Sequence, residues 1–492
     1  MSASPEAIPF APLFIDGQAR PASGDVKYEV HNPYSRDLVS YAASASSQDC
    51  KDAVNAAVRA FPTWEKSTLS QRRDFFMRAA VLLETEKYRA KVEEAIKAEI
   101  AATDFIVDLN MKMSAEMLRT IATLVVELKG ETFASHIPGG QVLVQRRAQG
   151  VVFSIAPWNS PLILTIRAAG YPIVCGNTVV LKTSEVSPRI QFVIAELFHE
   201  AGLPNGVLNF IHTSRESAPA RTAEIIAHPA VRKINFTGSD RVGKIIGSEA
   251  GKYLKPCVLE LGGKAPAVVL NDADVPRAAR AITSSALVHS GQICMSTERV
   301  IVQRGVADVL KAALVTEFSR FKSGGPGERL SAQFRDDSAE DIQSMMREAR
   351  EDGAEFLFGD GSREGTVVQP HIVTGVKPGM RLWERESFGP LTVVVEVDTV
   401  DEAVELANAT QYSLVGSVWT RDLNLALDVS GRIRAGCVNV NGPTIHVEDT
   451  REHGGLSGAS GYGKFTVDAF TDSRLVVIHP ANPPPYPLVD FN

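Results

Sequence analysis

The stretch TVVLKTSEVSPRIQFVIAELFHEAGLPNGVLNFI, residues 178–211, combines two kinds of hydrophobic pattern. Its ends, residues 178–182 and 206–211, are short runs rich in β-branched and other apolar residues, which are typical of buried strands. Between them, residues 188–202 carry apolar side chains at spacings of three and four and end on a glycine, as helices do. A strand, a helix and a second strand in this order predict a βαβ unit with parallel strands.

The same alternation continues on both sides of this unit. Residues 150–156, 231–236 and 256–261 are further β-rich runs, and residues 241–254 have the spacing of a helix. Together these runs predict a doubly wound parallel sheet, in which ligands bind beyond the carboxyl ends of the strands. A second alternation begins at residue 265 and predicts a second α/β domain.

The remaining segments have other patterns. Residues 52–64 and 88–102 predict helices, and residues 13–20 predict a strand ahead of them. The tail HPANPPPYPLVDFN, residues 479–492, is too rich in proline for a helix or a central strand. We expect this tail to lie extended over a neighbouring surface.

The overall composition disfavours several classes of partner. The 51 basic and 58 acidic residues form no long run of like charge, so neither a nucleic acid nor an anionic membrane surface is expected as a partner. The first residues lack the basic start and apolar block of a secretory signal. The longest apolar run is interrupted by Arg167 and Pro172, too soon for a membrane span. We therefore expect a cytoplasmic protein.

The five cysteines are scattered, with no CxxC spacing and no paired histidine: Cys50, Cys175, Cys257, Cys294 and Cys437. This pattern disfavours a disulfide framework and a zinc site, so no metal is expected. A lone cysteine is usually inert and buried. The surroundings of Cys294 favour a reactive thiol instead, because Gly291 gives the backbone freedom just before it. Ser296 and Thr297 suit a tightly packed helix start, whose dipole stabilises a thiolate.

Polar residues follow two strands of the predicted first sheet. Asn159, in the loop APWNSP, can offer a side-chain N–H to a developing oxyanion; the alternative is an ordinary asparagine in a proline-flanked turn. Lys182 and Glu185, in KTSE, suit the hydroxyl groups of an adenosine ribose. The alternative here is a helix N-cap at which Glu185 interacts with the helix dipole.

Two further strands are followed by loops of a similar kind. Gly238 lets the backbone approach a ligand closely, and Ser239 opens a helix whose free N–H groups can hold a pyrophosphate. The region contains no GxGxxG, so such a phosphate site would differ from the usual dinucleotide fingerprint. Glu260, in LELGGK, is a carboxylate at an otherwise apolar strand end, where desolvation favours a general base. The alternative is an ion pair of Glu260 with Lys264 or Arg299.

Six short motifs occur in a fixed order along the chain: PWN, KTSE, FTGS, LELGGK, GQIC and ESFGP. Their order resembles that of the aldehyde dehydrogenase superfamily, over about residues 13–480. The stretches VRKINFTGS, GQICMSTERV and SGYGKF are most similar to the salicylaldehyde and vanillin dehydrogenase branch, which acts on aromatic aldehydes. One such motif alone is a weak signal, whereas six in the same order are specific.

The resemblance implies a role for each motif residue. Cys294 matches the catalytic thiol, Asn159 the oxyanion-hole amide and Glu260 the general base. The residues implied to bind the cofactor are Pro157, Trp158, Lys182, Glu185, Gly238, Ser239, Glu386 and Phe388. The implied reaction is NAD(P)-dependent oxidation of an aldehyde to its carboxylic acid, through a thiohemiacetal and a thioester. Glu185 favours NAD, with NADP as the alternative cofactor.

Arg167 is the expected substrate residue. It lies eight residues after Asn159, and we expect it to bind a hydroxyl or carboxylate group of an aromatic aldehyde; a surface or interdomain salt bridge is the alternative. Two other functions compete with this interpretation. A CoA-acylating aldehyde dehydrogenase generally lacks the general base, and a non-catalytic homologue would have lost Cys294, Asn159 or Glu260.

The resemblance also implies the fold and the domain organisation. It predicts an α/β protein with a Rossmann-type NAD-binding domain, residues 1–130 and 150–262, and an α/β catalytic domain, residues 263–450. A small β oligomerisation element is expected from residues 131–149 and 470–492. The implied partners are a small aldehyde substrate and further copies of the chain, in a homodimer or homotetramer.

Overall fold

The computed structural model describes residues 8–446, 448, 454–482, 484–486 and 488–489. Two large sheets, each flanked by helices, dominate this part of the chain. The predicted α/β architecture is confirmed. Part of the proline-rich tail lies outside the described residues.

The first large sheet has eight strands. In spatial order they are β22 (Gly461–Tyr462), β12 (Cys257–Glu260), β11 (Val231–Thr237), β8 (Val151–Ile155), β9 (Thr178–Lys182), β10 (Leu208–Ile211), β2 (Leu13–Ile15) and β3 (Gln18–Arg20). The five central strands from β12 to β10 are parallel to one another, as the alternating pattern predicts. The edge strand β22 pairs antiparallel with β12, and at the other end of the sheet β2 pairs antiparallel with β10 and with the edge strand β3.

Helices cover both faces of this sheet. They are α1 (Ser47–Trp64), α2 (Leu69–Leu83), α3 (Glu86–Ile100), α4 (Asp104–Thr123), α5 (Pro161–Val174), α6 (Pro188–Glu200), α7 (Ala218–Ala227) and α8 (Asp240–Lys252). Because side chains alternate across a strand, Val152 and Leu181 pack with α2 to α6 on one face. Phe153 and Val180 pack with α1, α7 and α8 on the other.

The second large sheet has seven strands. In spatial order they are β15 (Glu355–Phe358), β18 (His371–Thr374), β19 (Leu391–Val397), β14 (Thr297–Gln303), β13 (Ala265–Val269), β20 (Val415–Trp419) and β21 (Cys437–Val440). All pairs are parallel except that of β15 with β18. The helices around it are α9 (Val275–Leu287), α10 (Arg304–Phe318), α11 (Asp336–Glu351), α12 (Arg381–Glu384), α13 (Val400–Asn408) and α14 (Leu423–Arg432).

Three small sheets complete the described part of the chain. One joins β6 (Glu131–Ala134), β7 (Gln141–Ala148) and β23 (Thr471–Ile478); a second joins β1 (Phe10–Ala11), β4 (Lys27–His31) and β5 (Leu38–Ala43); and β16 (Arg363–Glu364) pairs with β17 (Val367–Val368). The β1–β5–β4 sheet is not evident in the sequence, because four of the five residues of β4 are polar or charged and at least partly exposed. None of the described helices combines the length and apolar character that a membrane span requires.

Candidate active site

The loops that follow β8, β9, β11 and β12 lie along one edge of the first large sheet, because these strands are adjacent and parallel. This edge carries Asn159, Lys182, Gly238 and Glu260. The backbone of the loops is linked directly: the Gly238 N–H donates to the Glu260 carbonyl oxygen at 3.1 Å. Residues spread over about a hundred positions of sequence are thus brought together at the strand ends.

Cys294 lies in a short turn that leads into β14, and not at the start of a helix. The predicted helix start at Ser296 and Thr297 is therefore wrong. Residues 297–303 form a fully buried strand instead, since they pair with strands on both sides. No helix dipole is available at this turn to stabilise a thiolate.

The backbone just before Cys294 has an unusual conformation. His289, Ser290 and Gly291 all have positive φ, at 52°, 57° and 74°. A Cβ atom on Gly291 would lie only 1.9 Å from the carbonyl oxygen of Gly389. Glycine is therefore required here, both for its φ and for the close approach of the loop that contains ESFGP.

The side-chain amide of Asn159 reaches the thiol loop. Asn159 is buried, and its Nδ2 donates to the carbonyl oxygen of Gln292, two residues before Cys294, at 2.9 Å. Gln292 is itself held, because its side chain donates to the carbonyl oxygen of Ala332 at 3.2 Å and accepts from the N–H of Phe334 at 2.9 Å. The second N–H of the amide is left for another acceptor at this turn.

Glu260 forms a buried ion pair with Arg167. The Arg167 guanidinium also donates to Thr237 Oγ1 at 3.1 Å and lies 4.5 Å from the ring centroid of Phe465. Arg167 is thus buried beside the general-base candidate, and the alternative of a surface or interdomain bridge is wrong, since α5 and β12 belong to one sheet unit.

Lys264 and Arg299, the two alternative partners considered for Glu260, contact other groups. The alternative of an ion pair between Glu260 and either of them is therefore also wrong. Lys264 pairs with Glu298 in the core. Arg299 donates to the carbonyl oxygens of Lys264, Leu406 and Ala407 at 2.8–2.9 Å. The register of α5 over the sheet, which the sequence does not reveal, selects Arg167 instead.

Cys294 is partly buried as a residue, and the surroundings of its thiol disfavour the thiolate. Desolvation, followed by the negative charges of Glu260 and Glu386, raises the pKa of Cys294 well above its ordinary value, and Arg167 opposes this only in part. In the protein alone, the raised pKa thus favours the protonated thiol of Cys294 at neutral pH.

This protonation state has a measurable consequence. We expect the rate of alkylation of Cys294 by iodoacetamide to rise about tenfold per pH unit between about pH 7 and pH 9, because only the thiolate reacts. The Cys294→Ser variant measures the background from other thiols such as the partly accessible Cys437. A rate that levels off near neutral pH would show that the thiolate already prevails.

Glu386 and Phe388 lie opposite the sheet edge, in the loop between α12 and β19. The N–H of Gly263 donates to Glu386 Oε1 at 2.8 Å. Desolvation, with added repulsion from Glu298, raises the pKa of Glu386 to about 8. Phe388 has a φ of 52°, and its ring meets Trp158 edge-on, with the two ring centroids 6.0 Å apart.

Glu298 holds the loop between α12 and β19 in place. No role for this residue was predicted from the sequence. Its carboxylate accepts the backbone N–H of Ser387 at 3.0 and 2.9 Å and that of Phe388 at 3.1 Å. The buried ammonium of Lys264 balances its charge. The signal was a glutamate close to the apolar run VIV in TERVIVQ, since a charge that is buried with such a run needs a specific partner.

The cofactor candidates have the donor set that a dinucleotide needs. The buried Lys182 donates to the carbonyl oxygen of Thr183 at 3.0 Å, which leaves other ammonium protons for ribose hydroxyls. Burial lowers the pKa of Lys182, against the effect of Glu185. Ser239 caps α8 by accepting the N–H of Val242 at 3.4 Å, so this helix presents its N-terminus beside Gly238, as pyrophosphate sites do.

Pro157 and Trp158 belong to the same edge. The carbonyl oxygen of Pro157 accepts Gln191 Nε2 at 3.3 Å. Trp158 stacks on Phe334, with ring centroids 4.0 Å apart. The described residues contain no cluster of histidine, cysteine or carboxylate side chains that could hold a metal ion.

Comparison with known proteins gives one consistent result. Residues 20–476 match the model of the aldehyde dehydrogenase family. The chain is 39% identical to a vanillin dehydrogenase of Pseudomonas fluorescens, covering 97% of this chain and 99% of that one. It is 37% identical to a salicylaldehyde dehydrogenase of Pseudomonas putida, and the match covers 95% of this chain and 98% of that one.

Solved structures agree. The crystal structure of a salicylaldehyde dehydrogenase from Pseudomonas putida G7, complexed with salicylaldehyde, matches with a TM-score of 0.93 at 35% identity, covering 97% of this chain and all of that one. The crystal structure of an NAD-dependent aldehyde dehydrogenase from Sinorhizobium meliloti matches with a TM-score of 0.93 at 30% identity. This match covers 99% of this chain and 98% of that one.

Proposed function

The chain belongs to the aldehyde dehydrogenase family, and we propose that its substrate is an aromatic aldehyde oxidised at Cys294. Membership makes it an NAD(P)-dependent oxidoreductase of aldehydes. Two lines of support favour an aromatic substrate: the vanillin and salicylaldehyde dehydrogenases among its relatives, and Arg167. The guanidinium of Arg167 lies beside Glu260, where it can bind a ring hydroxyl of the aldehyde.

One observation carries the assignment of the site. The side-chain amide of Asn159 donates to the carbonyl oxygen of Gln292, in the thiol loop, at 2.9 Å, and the negative charge of Glu260 contributes to the raised pKa of the Cys294 thiol. These observations support a site built from a nucleophile, an N–H donor and a carboxylate, which come from three separate segments. These are the groups that acyl transfer through a thioester requires.

The mechanism follows from these groups. The Cys294 thiol first loses its proton to water. The resulting thiolate attacks the aldehyde carbon, and the carbonyl π electrons move to oxygen to give the oxyanion of a thiohemiacetal. Asn159 Nδ2 and the backbone N–H of Cys294 hold the oxyanion. When bound, NAD supplies the acceptor for the hydride that leaves carbon as the carbonyl re-forms. The product on the protein is a thioester of Cys294.

Glu260 completes the cycle. Its carboxylate takes a proton from water, and the resulting hydroxide attacks the thioester carbon. The C–S bond then breaks, which releases the carboxylic acid and returns the thiolate. Arg167 holds Glu260 by the buried ion pair and so orients the base.

The substrate class is tested by comparing aldehydes. We expect kcat/KM for salicylaldehyde, vanillin and benzaldehyde to exceed that for straight-chain aldehydes, with NADH formation as the measurement. A clear preference for straight-chain aldehydes would overturn the aromatic assignment and leave the family's general activity intact.

Glu185 bears on the choice of cofactor. Its carboxylate would accept a ribose hydroxyl and repel a 2′-phosphate, although Arg335 lies 3.5 Å away and offsets part of its charge. We expect kcat/KM with NAD to exceed that with NADP by about tenfold, and Glu185→Gln to reduce this gap. Asp337→Asn is the matched control, because Asp337 pairs with the same arginine at 3.2 Å. If both variants narrowed the difference in kcat/KM between NAD and NADP equally, the effect would come from Arg335 and not from Glu185.

We propose that the β6–β7–β23 sheet joins subunits in a homodimer or homotetramer. Its outer strand exposes a row of apolar side chains, of which Leu475 is 66% and Ile478 46% exposed. An exposed apolar strand of this kind marks an interaction surface. We also propose a cytoplasmic location, an NAD-binding domain of residues 1–130 and 150–262, and a catalytic domain of residues 263–450.

A further inference from the structure

Two loops flank the proposed cofactor site, one from each large sheet. The first, residues 238–240, follows β11 and leads into α8, where the pyrophosphate is expected. The second, residues 385–388, leads toward β19 and carries Glu386 and Phe388. Nothing in the sequence motifs connects the two loops.

The structure links them by a single ion pair between Asp240 and Arg385. Arg385 donates through both terminal nitrogens, to Asp240 Oδ1 at 2.9 Å and to Oδ2 at 3.2 Å. Such a two-pronged contact fixes direction as well as distance. Asp240 is the first residue of α8, and Arg385 directly precedes Glu386.

The two partners differ in burial. The Asp240 side chain is 6% exposed and that of Arg385 46%. A carboxylate that is almost fully buried needs a cation to balance its charge, whereas the arginine can swing into solvent. Lys244 also reaches Asp240, at 3.3 Å, but it lies on α8 itself and joins no second element.

The position of the pair matters for a bound dinucleotide. Asp240 stands next to the helix N-terminus proposed for the pyrophosphate, and Arg385 next to the loop proposed for the nicotinamide end. Movement of the two loops apart would stretch or break this contact.

We propose that Asp240 and Arg385 form a clasp that holds the two loops together over the cofactor and slows the release of NADH. Both act as positioning residues, since neither is assigned to the reacting atoms. This inference rests on the proposed function, because it assumes that the dinucleotide lies between these loops.

The test measures NADH directly, without turnover. NADH fluorescence in a stopped-flow displacement experiment gives its dissociation rate constant from wild type, Arg385→Met and Asp240→Asn. We expect each substitution to raise this rate constant by about five- to thirtyfold, which lies around the lower end of the range for loss of a hydrogen bond between charged groups because Arg385 is half exposed. Arg385→Lys keeps the positive charge but cannot make the two parallel hydrogen bonds. Its dissociation rate constant should therefore lie between those of wild type and Arg385→Met.

Two comparisons separate a clasp from a general effect of charge. Lys244→Met removes a cation from the same carboxylate without touching the second loop, and its rate constant should match that of wild type. The double variant Asp240→Asn, Arg385→Met should release NADH no faster than the faster single variant, since the two residues act as one contact.

The outcomes are distinguishable. A change of less than about twofold in Arg385→Met, additive effects in the double variant, or an equal effect of Lys244→Met would each overturn the clasp. Wild-type protein that binds no NADH would instead overturn the proposed cofactor site. Because Arg385 is half exposed, its variants also keep the test valid if Asp240→Asn does not fold.

Discussion

Cys294→Ser should lower kcat/KM for aldehyde oxidation by about 10⁴-fold or more, the scale seen when a covalent nucleophile is removed. The hydroxyl of serine has the right shape but is a much weaker nucleophile, and no base tuned to a hydroxyl faces it here. NADH formation in the steady state is the measurement. NAD binding and the melting temperature should remain close to wild type.

Cys437→Ser provides the matched control. Cys437 and Cys294 are both partly accessible and pack against the same apolar residues, Ala265, Leu414 and Val415. We expect the Cys437 variant to retain near-normal activity. If Cys294→Ser were as active as the Cys437 variant, the assignment of the nucleophile would fall.

Glu260→Gln should lower kcat by about 10²- to 10⁴-fold, as expected for loss of a general base. The loss should fall on hydrolysis of the thioester, so that one equivalent of NADH still forms in an initial burst before turnover stops. Rapid-mixing absorbance separates the burst from the steady rate. An unchanged steady rate would exclude Glu260 as the base.

Glu355→Gln is a suitable control for the loss of one carboxylate. Glu355 lies on the edge strand β15 of the second sheet and is exposed. Its substitution should leave both the burst and the steady rate unchanged. A burst that also disappears in Glu260→Gln would mean that this residue is needed before hydride transfer.

Much of the fold could be predicted because local pattern and tertiary structure agree. The run TVVLK forms β9 with the bounds expected from the sequence, and residues 188–200 form α6. The turn at Ser296 shows where local reasoning fails: small polar residues suggested a helix start, but pairing with strands on both sides imposes a strand. Tertiary context overrides local preference here.

The site could be predicted only in part, for a related reason. Asn159 and Glu260 could be singled out as candidates because Asn159 follows one strand of the sheet and Glu260 ends another, and parallel strands bring their ends together. The partners of the buried charges could not be found. Arg167 is 93 residues from Glu260, and Arg385 is 145 residues from Asp240, so these pairings depend on how helices and loops lie across the sheets.

We propose that the sulfur of Cys294 carries the acyl group during turnover. Glu260→Gln protein, mixed with NAD and a benzaldehyde, can be quenched in acid and digested for peptide mass spectrometry. We expect an added benzoyl group on the peptide that contains Cys294 and on no other cysteine peptide. Complete formation of NADH with that peptide unmodified, or with the acyl group on a different cysteine, would contradict it.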